Sequence, residues 1–343
     1  MAVNLANSFV DLGYSVDMVL AHWSGAYINK LDPNIRRFDL GCKQLWRSPP
    51  RLIHYLREHQ PDVLISALHY PCEIAIVAKY LSGAKTRVIV SERNTLSVEA
   101  ARLPQLTAKL TPLSSRLLYP FADQITAISK GVAEDLAKTA KISPSKIAMI
   151  YNPVFEANFD PNPIKAADHP WLNDPDIPVV LGIGRLMEQK DFKTFLKAAK
   201  IISQSRSVRF LILGEGEKRP DLEHYILRNN LTETVQLVGF VDEPFRYLKA
   251  ASAFVLSSQW EGFGNVLVEA MIMGVPVIST DCPHGPREIL NGGEFGHLVP
   301  VEDSPAIARA IFQVLDGDRR LPTREWLSQF TQEHVVSKYL SLL

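Results

Sequence analysis

Residues 253–279 read as a strand, a glycine-bearing turn, a helix and a second strand, and this order constrains the fold more than any other feature of the chain. The apolar runs 253–256 and 275–279 are typical of buried strands, and a helix is predicted to start near Asn265. In open parallel sheets, ligands bind beyond the carboxyl ends of the strands. The sequence therefore predicts an α/β fold with a binding site at this turn.

Two glutamates flank the turn: Glu261 precedes it, and Glu269 lies one to two turns inside the helix. The first N–H groups of a helix lack intrahelical partners and lie at the positive end of its dipole, which favours a phosphate there. Gly262 and Gly264 let the backbone approach a ligand closely. This pattern suits a ligand with hydroxyls and phosphates, such as a nucleotide sugar. The alternative is an ordinary turn with two solvated glutamates.

A second cluster follows the first predicted strand of the second half. Residues 182–186 read Gly-Ile-Gly-Arg-Leu, and Lys190 stands five positions after Arg185. Arginine offers a planar fork to pairs of oxygens and lysine a mobile point charge, so the two cations could hold a diphosphate. The alternative is a simple tight turn.

The chain has 343 residues, which favours two domains. Strands and helices alternate in both halves, which is typical of parallel sheets. Six prolines within residues 153–178 mark the linker. We expect one doubly wound domain over 1–165, a second over 166–325, and a C-terminal helix over 326–343 that packs back on the first domain.

The chain opens directly in a helical pattern, over residues 3–12, and its first strand is predicted at 15–20. Doubly wound domains normally begin with a strand that lies in the middle of the sheet. We therefore expect that the sequence lacks the first strand of this domain and the glycine-rich loop after it. The alternative is a variant domain that starts with a helix.

The charge differs between the two halves. Residues 1–165 carry 19 Lys and Arg against 14 Asp and Glu, a net charge of +5, and the remainder carries 18 against 23. The basic half is expected to face an anionic acceptor or a lipid surface. Arg102, Lys109 and Arg116 could belong to an amphipathic surface that meets a membrane, or to a buried helix pair with a solvated face. The leucines interleaved with these cations are Leu103, Leu106, Leu110, Leu113 and Leu117.

Several classes of protein are disfavoured. Cys42, Cys72 and Cys282 are scattered and read as reduced thiols of a cytosolic protein. No apolar run is long enough to span a bilayer and no secretory signal is visible, so any membrane contact is expected to be peripheral, on the inner face. No basic and aromatic array suggests nucleic acid. The Asp-x-Asp patterns at 174–176 and 316–318 lie in predicted loops, and no metal site is predicted.

The second half as a whole resembles the nucleotide-sugar domain of the retaining glycosyltransferases of family 4. The resemblance covers nearly all of residues 178–300 as an ordered series of motifs. These are Gly184-Arg185-Leu186 with Lys190, Gly214-Glu215-Gly216, Val238-Gly239-Phe240, Ser258-x-x-Glu261-Gly262-Phe263-Gly264, Glu269-Ala270, Gly274-x-Pro276-Val277-Ile278-Ser279, Gly285-Pro286-Arg287-Glu288-Ile289 and Gly296-x-Leu298-Val299. The resemblance implies the GT-B fold, in which two Rossmann-like domains face a cleft.

It also implies roles for individual residues. Arg185 and Lys190, beside Gly184, are expected to neutralise the donor diphosphate as it leaves, and both are catalytic candidates together with Glu261. Glu261 is expected to contact the hydroxyls of the donor sugar, and Glu269 the ribose hydroxyls. The backbone N–H groups that would hold the sugar and the phosphate belong to Gly262, Phe263, Gly264 and Asn265. The segment that would lie near the base consists of Gly239, Phe240 and Val241.

The first half resembles the acceptor domain of the family more loosely. Many members carry a histidine where Arg93 stands here, so a base role at that position is in doubt. Arg93 might bind an acceptor phosphate or pair with Glu92, and His69 is a further acceptor candidate.

The implied function is transfer of a hexose or N-acetylhexosamine from a nucleotide sugar to a glycan or a polyprenyl-linked glycan, with retained configuration. The resemblance implies a UDP-linked donor, together with Asn265 and the run 283–288, which look like those of transferases of amino sugars, and it implies no tightly bound cofactor. Two alternatives stay open: a nucleotide-sugar epimerase or phosphorylase of the same fold, and an inactive nucleotide-sugar-binding chain.

Overall fold

The computed structural model describes residues 1–25, 27–102 and 106–343, and the chain divides into two compact units. The first unit comprises Met1–Ala157 and Ser328–Leu343, and the second comprises Asn158–Leu327. The predicted α/β fold with parallel sheets is confirmed in both units.

The first unit is built from short strands and the helices between them. Its strands are β1 (Asp17–Leu20), β2 (Arg36–Asp39), β3 (Val63–Ala67), β4 (Arg87–Glu92), β5 (Gln124–Ala127) and β6 (Ile147–Met149). Its first six helices are α1 (Ala2–Asp11), α2 (Pro49–His59), α3 (His69–Ser82), α4 (Leu96–Arg102), α5 (Leu106–Leu118) and α6 (Lys130–Thr139).

The strands of the first unit form two separate parallel sheets. One is the pair β1-β2, and the other has the order β3-β4-β5-β6. The chain begins in helix α1, as its helical periodicity predicts. The absence of a first strand stays a prediction. Strand β2 was not predicted, because its sequence Arg-Arg-Phe-Asp lacks a run of apolar residues.

The second unit alternates strands and helices more regularly. Its strands are β7 (Val179–Ile183), β8 (Arg209–Leu213), β9 (Val235–Gly239), β10 (Ala253–Leu256), β11 (Val277–Thr280) and β12 (His297–Val299). Its helices are α7 (Phe192–Ser203), α8 (Arg219–Arg228), α9 (Pro244–Leu248), α10 (Asn265–Ile272), α11 (Pro286–Ile289), α12 (Ser304–Leu315) and α13 (Arg324–Ser328), the last of which ends at the unit boundary.

All six strands of the second unit belong to one parallel sheet of order β12-β11-β10-β7-β8-β9. Successive strands from β7 to β9 extend the sheet in one direction, and those from β10 to β12 extend it in the other. Strands β7, β8 and β10 are almost wholly buried apolar runs rather than alternating ones, which is typical of parallel strands covered on both faces. Val180, Leu181, Phe210 and Phe254 are fully buried there.

The C-terminal segment belongs to the first unit, but it is not the single helix expected over 326–343. A break follows α13, and a new helix, α14, spans Gln332–Leu340. Thr331 starts α14 by accepting a hydrogen bond at its side-chain oxygen from the N–H of His334. Leu5 of α1 and Tyr339 of α14 belong to one buried apolar cluster.

Helix α5 continues through Pro112, which lies in its interior. Leu103, which was assigned to the same amphipathic surface, and the side chain of Leu106 lie outside the part of the chain that the structure describes. None of the helices in the described ranges is both long and apolar enough to cross a membrane.

Candidate functional site

The reversal of strand order in the second unit falls between β7 and β10, which are neighbours in the sheet. At such a reversal the loops after the two strands separate and leave a crevice. The loop after β7 carries Arg185 and Lys190, and the loop after β10 carries Glu261. Topology therefore brings together charged residues that are far apart in sequence.

Lys190 and Glu261 make direct contact. The ammonium Nζ of Lys190 donates to Glu261 Oε1 at 2.5 Å, and the hydroxyl of Ser258 donates to the same oxygen at 2.6 Å. Glu261 is 6% exposed, and Lys190 is also largely buried. A buried carboxylate needs charged and hydrogen-bonding partners, and this one has both.

Further hydrogen bonds tie the two loops together. Gln189 donates from its side chain to the carbonyl of Trp260 and accepts at its own carbonyl from the N–H of Gln259. Ser257 donates from its hydroxyl to the carbonyl of Lys190. The sequence did not identify Gln189 or Ser257 as part of the site.

Glycines allow the loops after β7, β8 and β9 to touch through their backbones. A Cβ on Gly214, whose φ is +138°, would lie 2.0 Å from the carbonyl oxygen of Gly184. The N–H of Gly214 also donates to the carbonyl of Gly239, whose φ is +96°. Phe240, next to Gly239, is exposed and Val241 partly exposed, so an aromatic face is available where the base was predicted.

The helix after the second loop starts as predicted. Gly264, with φ +104°, is the N-cap residue of α10, which begins at Asn265. Phe263 is buried, and its carbonyl oxygen lies 2.0 Å from the position of a Cβ on Gly285, so the following loop packs directly on this turn. Glycine is required at Gly264 because left-handed backbone is strained for other residues.

The remaining donor candidates differ in exposure. Arg185 is exposed, which leaves its guanidinium accessible to an anion. Gly262 and Glu269 are partly exposed, the latter on the second turn of α10. The described residues contain no group of three or more His, Cys, Asp or Glu side chains placed to hold a metal ion. Arg185, Lys190 and the N–H groups at the start of α10 are groups that can neutralise phosphate.

The acceptor candidates His69 and Glu92 lie together in the first unit. His69 follows β3, Glu92 is the last residue of the neighbouring strand β4, and His69 Nδ1 is 3.9 Å from Glu92 Oε2. That oxygen accepts a hydrogen bond from the hydroxyl of Tyr119 at 2.7 Å. Glu92 Oε1 accepts from the backbone N–H groups of Arg93 and Asn94.

Burial changes the ionisation of both groups. It raises the pKa of the Glu92 carboxyl from 4.5 to about 7, against the opposing effect of the hydrogen bonds it accepts. It lowers the pKa of the His69 imidazole from 6.5 to about 4. Near pH 6 the pair therefore holds a protonated carboxyl beside a neutral imidazole. Leu68, just before His69, has a φ of +73°, a strained conformation for leucine.

Arg93 turns its guanidinium towards its own unit. Nη1 donates to Asn152 Oδ1 at 3.1 Å and Nη2 to Ser91 Oγ at 3.4 Å. Its link to Glu92 runs through the backbone N–H rather than through the guanidinium. These contacts favour a role in holding the loop after β4, and binding of an acceptor phosphate by Arg93 stays a prediction.

Two family models match the chain. "Glycosyltransferase Family 4" covers residues 1–156 and "Glycosyl transferases group 1" covers residues 177–317. Together they span both units of the fold.

Curated relatives carry related descriptions. The chain is 32% identical over 74% of its length to N-acetylgalactosamine-N,N'-diacetylbacillosaminyl-diphospho-undecaprenol 4-alpha-N-acetylgalactosaminyltransferase of Campylobacter jejuni. It is 34% identical over 52% of its length to the lipopolysaccharide core biosynthesis glycosyltransferase LpsE of Rhizobium meliloti. The matches span 66% and 54% of these relatives, so the chain covers between about half and two thirds of their length.

Among solved structures, HepE of Anabaena in complex with UDP-glucose superposes with a TM-score of 0.79 at 19% identity. The likeness covers 100% of this chain and 95% of HepE, and at this identity it shows the fold alone. With the two family models and the relatives, it establishes that the chain belongs to the family 4 glycosyltransferases and has their GT-B fold of two Rossmann-like domains.

Proposed function

We propose that this chain transfers a hexose or an N-acetylhexosamine from a UDP-sugar to a glycan or a polyprenyl-linked glycan, with retention of the anomeric configuration. One contact carries this proposal: the ion pair of Lys190 and Glu261 at the reversal of strand order, where open α/β sheets bind ligands. The relatives support it, since one is named for transfer onto a diphospho-undecaprenol glycan and HepE holds UDP-glucose.

The cations act on the leaving group. Breaking the bond between sugar and diphosphate places new negative charge on the diphosphate. Lys190 and the exposed Arg185 would neutralise that charge as it develops. The hydrogen bond to Glu261 holds the Lys190 ammonium in place. The N-terminus of α10 would add its N–H groups and the positive end of its dipole.

The carboxylates act on hydroxyls. Glu261 would accept hydrogen bonds from the donor sugar, and Glu269 from the ribose. When the diphosphate draws the Lys190 ammonium towards itself, Glu261 remains buried and loses part of its charge partner. Sugar hydroxyls then compensate the carboxylate, so the bound donor sugar would satisfy Glu261.

The first unit would receive the acceptor. His69, Glu92 and Arg93 stand at the carboxyl ends of its strands and are proposed to line the acceptor side. A polyprenyl-linked acceptor is membrane-bound, and the net charge of +5 in this unit suits the cytoplasmic face of a membrane.

A transfer assay tests the proposal. The chain is incubated with UDP-hexoses or UDP-N-acetylhexosamines and polyprenyl-diphosphate-linked sugars, and products are analysed by mass spectrometry and NMR. We expect an extended glycan with the anomeric configuration of the donor, and strongly reduced transfer by Arg185→Ala and Glu269→Ala. Wild-type rates in both variants would refute the site. Free UDP without glycan product would indicate an epimerase or hydrolase, and dependence on inorganic phosphate a phosphorylase.

A further inference from the structure

A cavity of about 400 Å³ lies between the start of α7 and helix α8 in the second unit, and we call it the α7–α8 cavity. Its floor is apolar. Phe192 and Leu222, which line it, are 5% and 4% exposed and belong to the core of the unit, and the partly buried Tyr225 packs against that core. A cavity of this size with an apolar floor and a few charged side chains is typical of small-molecule sites.

The cavity lies outside the donor site, although the two share the loop after β7. Glu188 and Asp191 line the cavity, whereas Lys190 between them donates to Glu261. Among the described residues, none of those assigned to the donor site lines the cavity. A ligand held there would therefore be additional to the nucleotide sugar.

Negative charge is in excess at the start of α8. The carboxylates of Glu188 and Asp221 both pair with the ammonium of Lys218, at 3.4 Å and 3.7 Å, so two carboxylates share one cation. Asp191 is occupied elsewhere, since its carboxylate accepts hydrogen bonds from the N–H and the hydroxyl of Thr194. This end of the cavity can accept hydrogen bonds from an amino group of a ligand.

Positive charge is in excess towards the end of α8. His224 and Arg228 line the cavity, are exposed and lie one turn apart on the same side of the helix. Within the described ranges, neither of them pairs with an acidic side chain. Lys193 at the start of α7 adds a third basic side chain to the lining. Basic side chains without acidic partners are suited to holding a phosphate.

The spacing along α8 fits a ligand with two different ends. Asp221 and Arg228 are seven residues apart, which is about 10 Å along a helix axis. Leu222 and Tyr225 lie between them and offer an apolar and aromatic surface, on which a planar ring packs favourably. The arrangement therefore suits an elongated molecule that has an amino group at one end, a ring in its body and an anion at the other end.

We propose that the α7–α8 cavity binds a nucleoside monophosphate whose base carries an amino group. Its phosphate lies at His224 and Arg228, its nucleoside lies on Leu222 and Tyr225, and its amino group donates to Asp221. AMP has this form and serves as the probe. The binding needs neither the donor nor the acceptor of the proposed function, so the two proposals fail separately.

Calorimetric titration of the full chain with AMP tests the site, in the presence of saturating UDP so that the donor site is filled. We expect one AMP to bind per chain. Adenosine lacks the phosphate, and IMP carries an oxo group in place of the amino group. Each should therefore bind at least about tenfold more weakly than AMP.

Two variants separate the two ends of the ligand. Arg228→Gln should weaken AMP binding by about tenfold and reduce the preference for AMP over adenosine. Asp221→Asn should instead reduce the preference for AMP over IMP, because an amide can also donate to the oxo group. Both side chains are exposed, so the fold should be retained. Lys197→Gln, at an exposed position of α7 that does not line the cavity, is the matched control and should bind AMP like the wild type.

Three results would overturn the site: a folded, UDP-saturated chain that binds no AMP, equal binding of AMP and adenosine, or AMP binding that Arg228→Gln leaves unchanged. AMP binding that is lost in Glu269→Ala and kept in Arg228→Gln would assign the nucleotide to the donor site instead. A chain that binds AMP through Arg228 but binds no UDP would support the cavity and contradict the UDP donor of the proposed function.

Discussion

Replacement of Lys190 by Met removes the ammonium from the donor loop but keeps most of the side-chain volume. The Glu261 carboxylate then stays buried, at 6% exposure, with the Ser258 hydroxyl but without its ammonium partner. Removing one member of a buried ion pair typically costs about 3–5 kcal/mol, because the other charge remains desolvated. Because Lys190 is 16% exposed and the Ser258 hydroxyl remains, we expect the free energy of unfolding of the second unit to fall by about 2–3 kcal/mol.

The double variant Lys190→Met with Glu261→Gln separates the charge from the loss of packing. Neither of the two replaced side chains is ionised in this variant, so it should be more stable than Lys190→Met alone. The coupling energy of the cycle should be about 1–3 kcal/mol. Hydrogen exchange of peptides from β7 and β10, read by mass spectrometry, reports the opening free energy of this unit separately from the other. A double variant less stable than Lys190→Met, or a coupling energy near zero, would show that Lys190 and Glu261 do not form a stabilising ion pair.

Three further predictions concern other parts of the fold. Gly214→Ala should abolish nucleotide binding, measured by calorimetry, because its Cβ would lie 2.0 Å from the Gly184 carbonyl oxygen in left-handed backbone; binding at the wild-type level would contradict this. In Glu92→Gln, the free energy of unfolding should rise with pH more steeply than in the wild type between about pH 4.5 and 6.5. The extra slope should reach up to about 1.4 kcal/mol per pH unit, measured by urea titrations at several pH values. Because the pKa of Glu92 is raised in the folded chain, the contribution of Glu92 to the free energy of unfolding falls as pH rises over that interval. The pKa of His69 is lowered, so the contribution of His69 rises with pH, and only this rise remains in the variant. A stability profile parallel to that of the wild type would refute this. Tyr119→Phe removes a buried donor to Glu92 and should lower the melting temperature, with a cost of about 1–3 kcal/mol, and an unchanged melting temperature would count against that hydrogen bond.

Much of the fold follows from local patterns. Strands β10 and β11 are runs of buried residues, and the sequence predicts them at 253–256 and 275–279, within two residues of their bounds. Strand β12 (His297–Val299) was not predicted as a strand. Strand β2 was not predicted, because a charged strand with exposed side chains has neither an apolar run nor an alternation of apolar and polar residues. The break before α14 was not predicted, because the apolar residues on both sides of Thr331 keep helical spacing.

The candidate site was less accessible from the sequence. The motif residues were identified individually, but Lys190 and Glu261 lie 71 positions apart, and their contact depends on which strands are neighbours. The closeness of His69 to Glu92 depends in the same way on the pairing of β3 with β4.

Orientation is also missing from a sequence pattern. Periodicity shows which leucines of α5 share a side, but it does not show which side the rest of the unit covers. The structure was needed to establish that Leu110, Leu113 and Leu117 face outwards.

Calorimetric titration of the full chain with UDP, GDP and ADP, beside the Glu269→Ala variant, shows whether the second unit holds a nucleotide donor site. We expect a folded chain to bind UDP in preference to the other two nucleotides, and the variant to bind it more weakly. A folded chain that binds none of the three, or a variant that binds as tightly as the wild type, would contradict a donor site at the loops after β7 and β10.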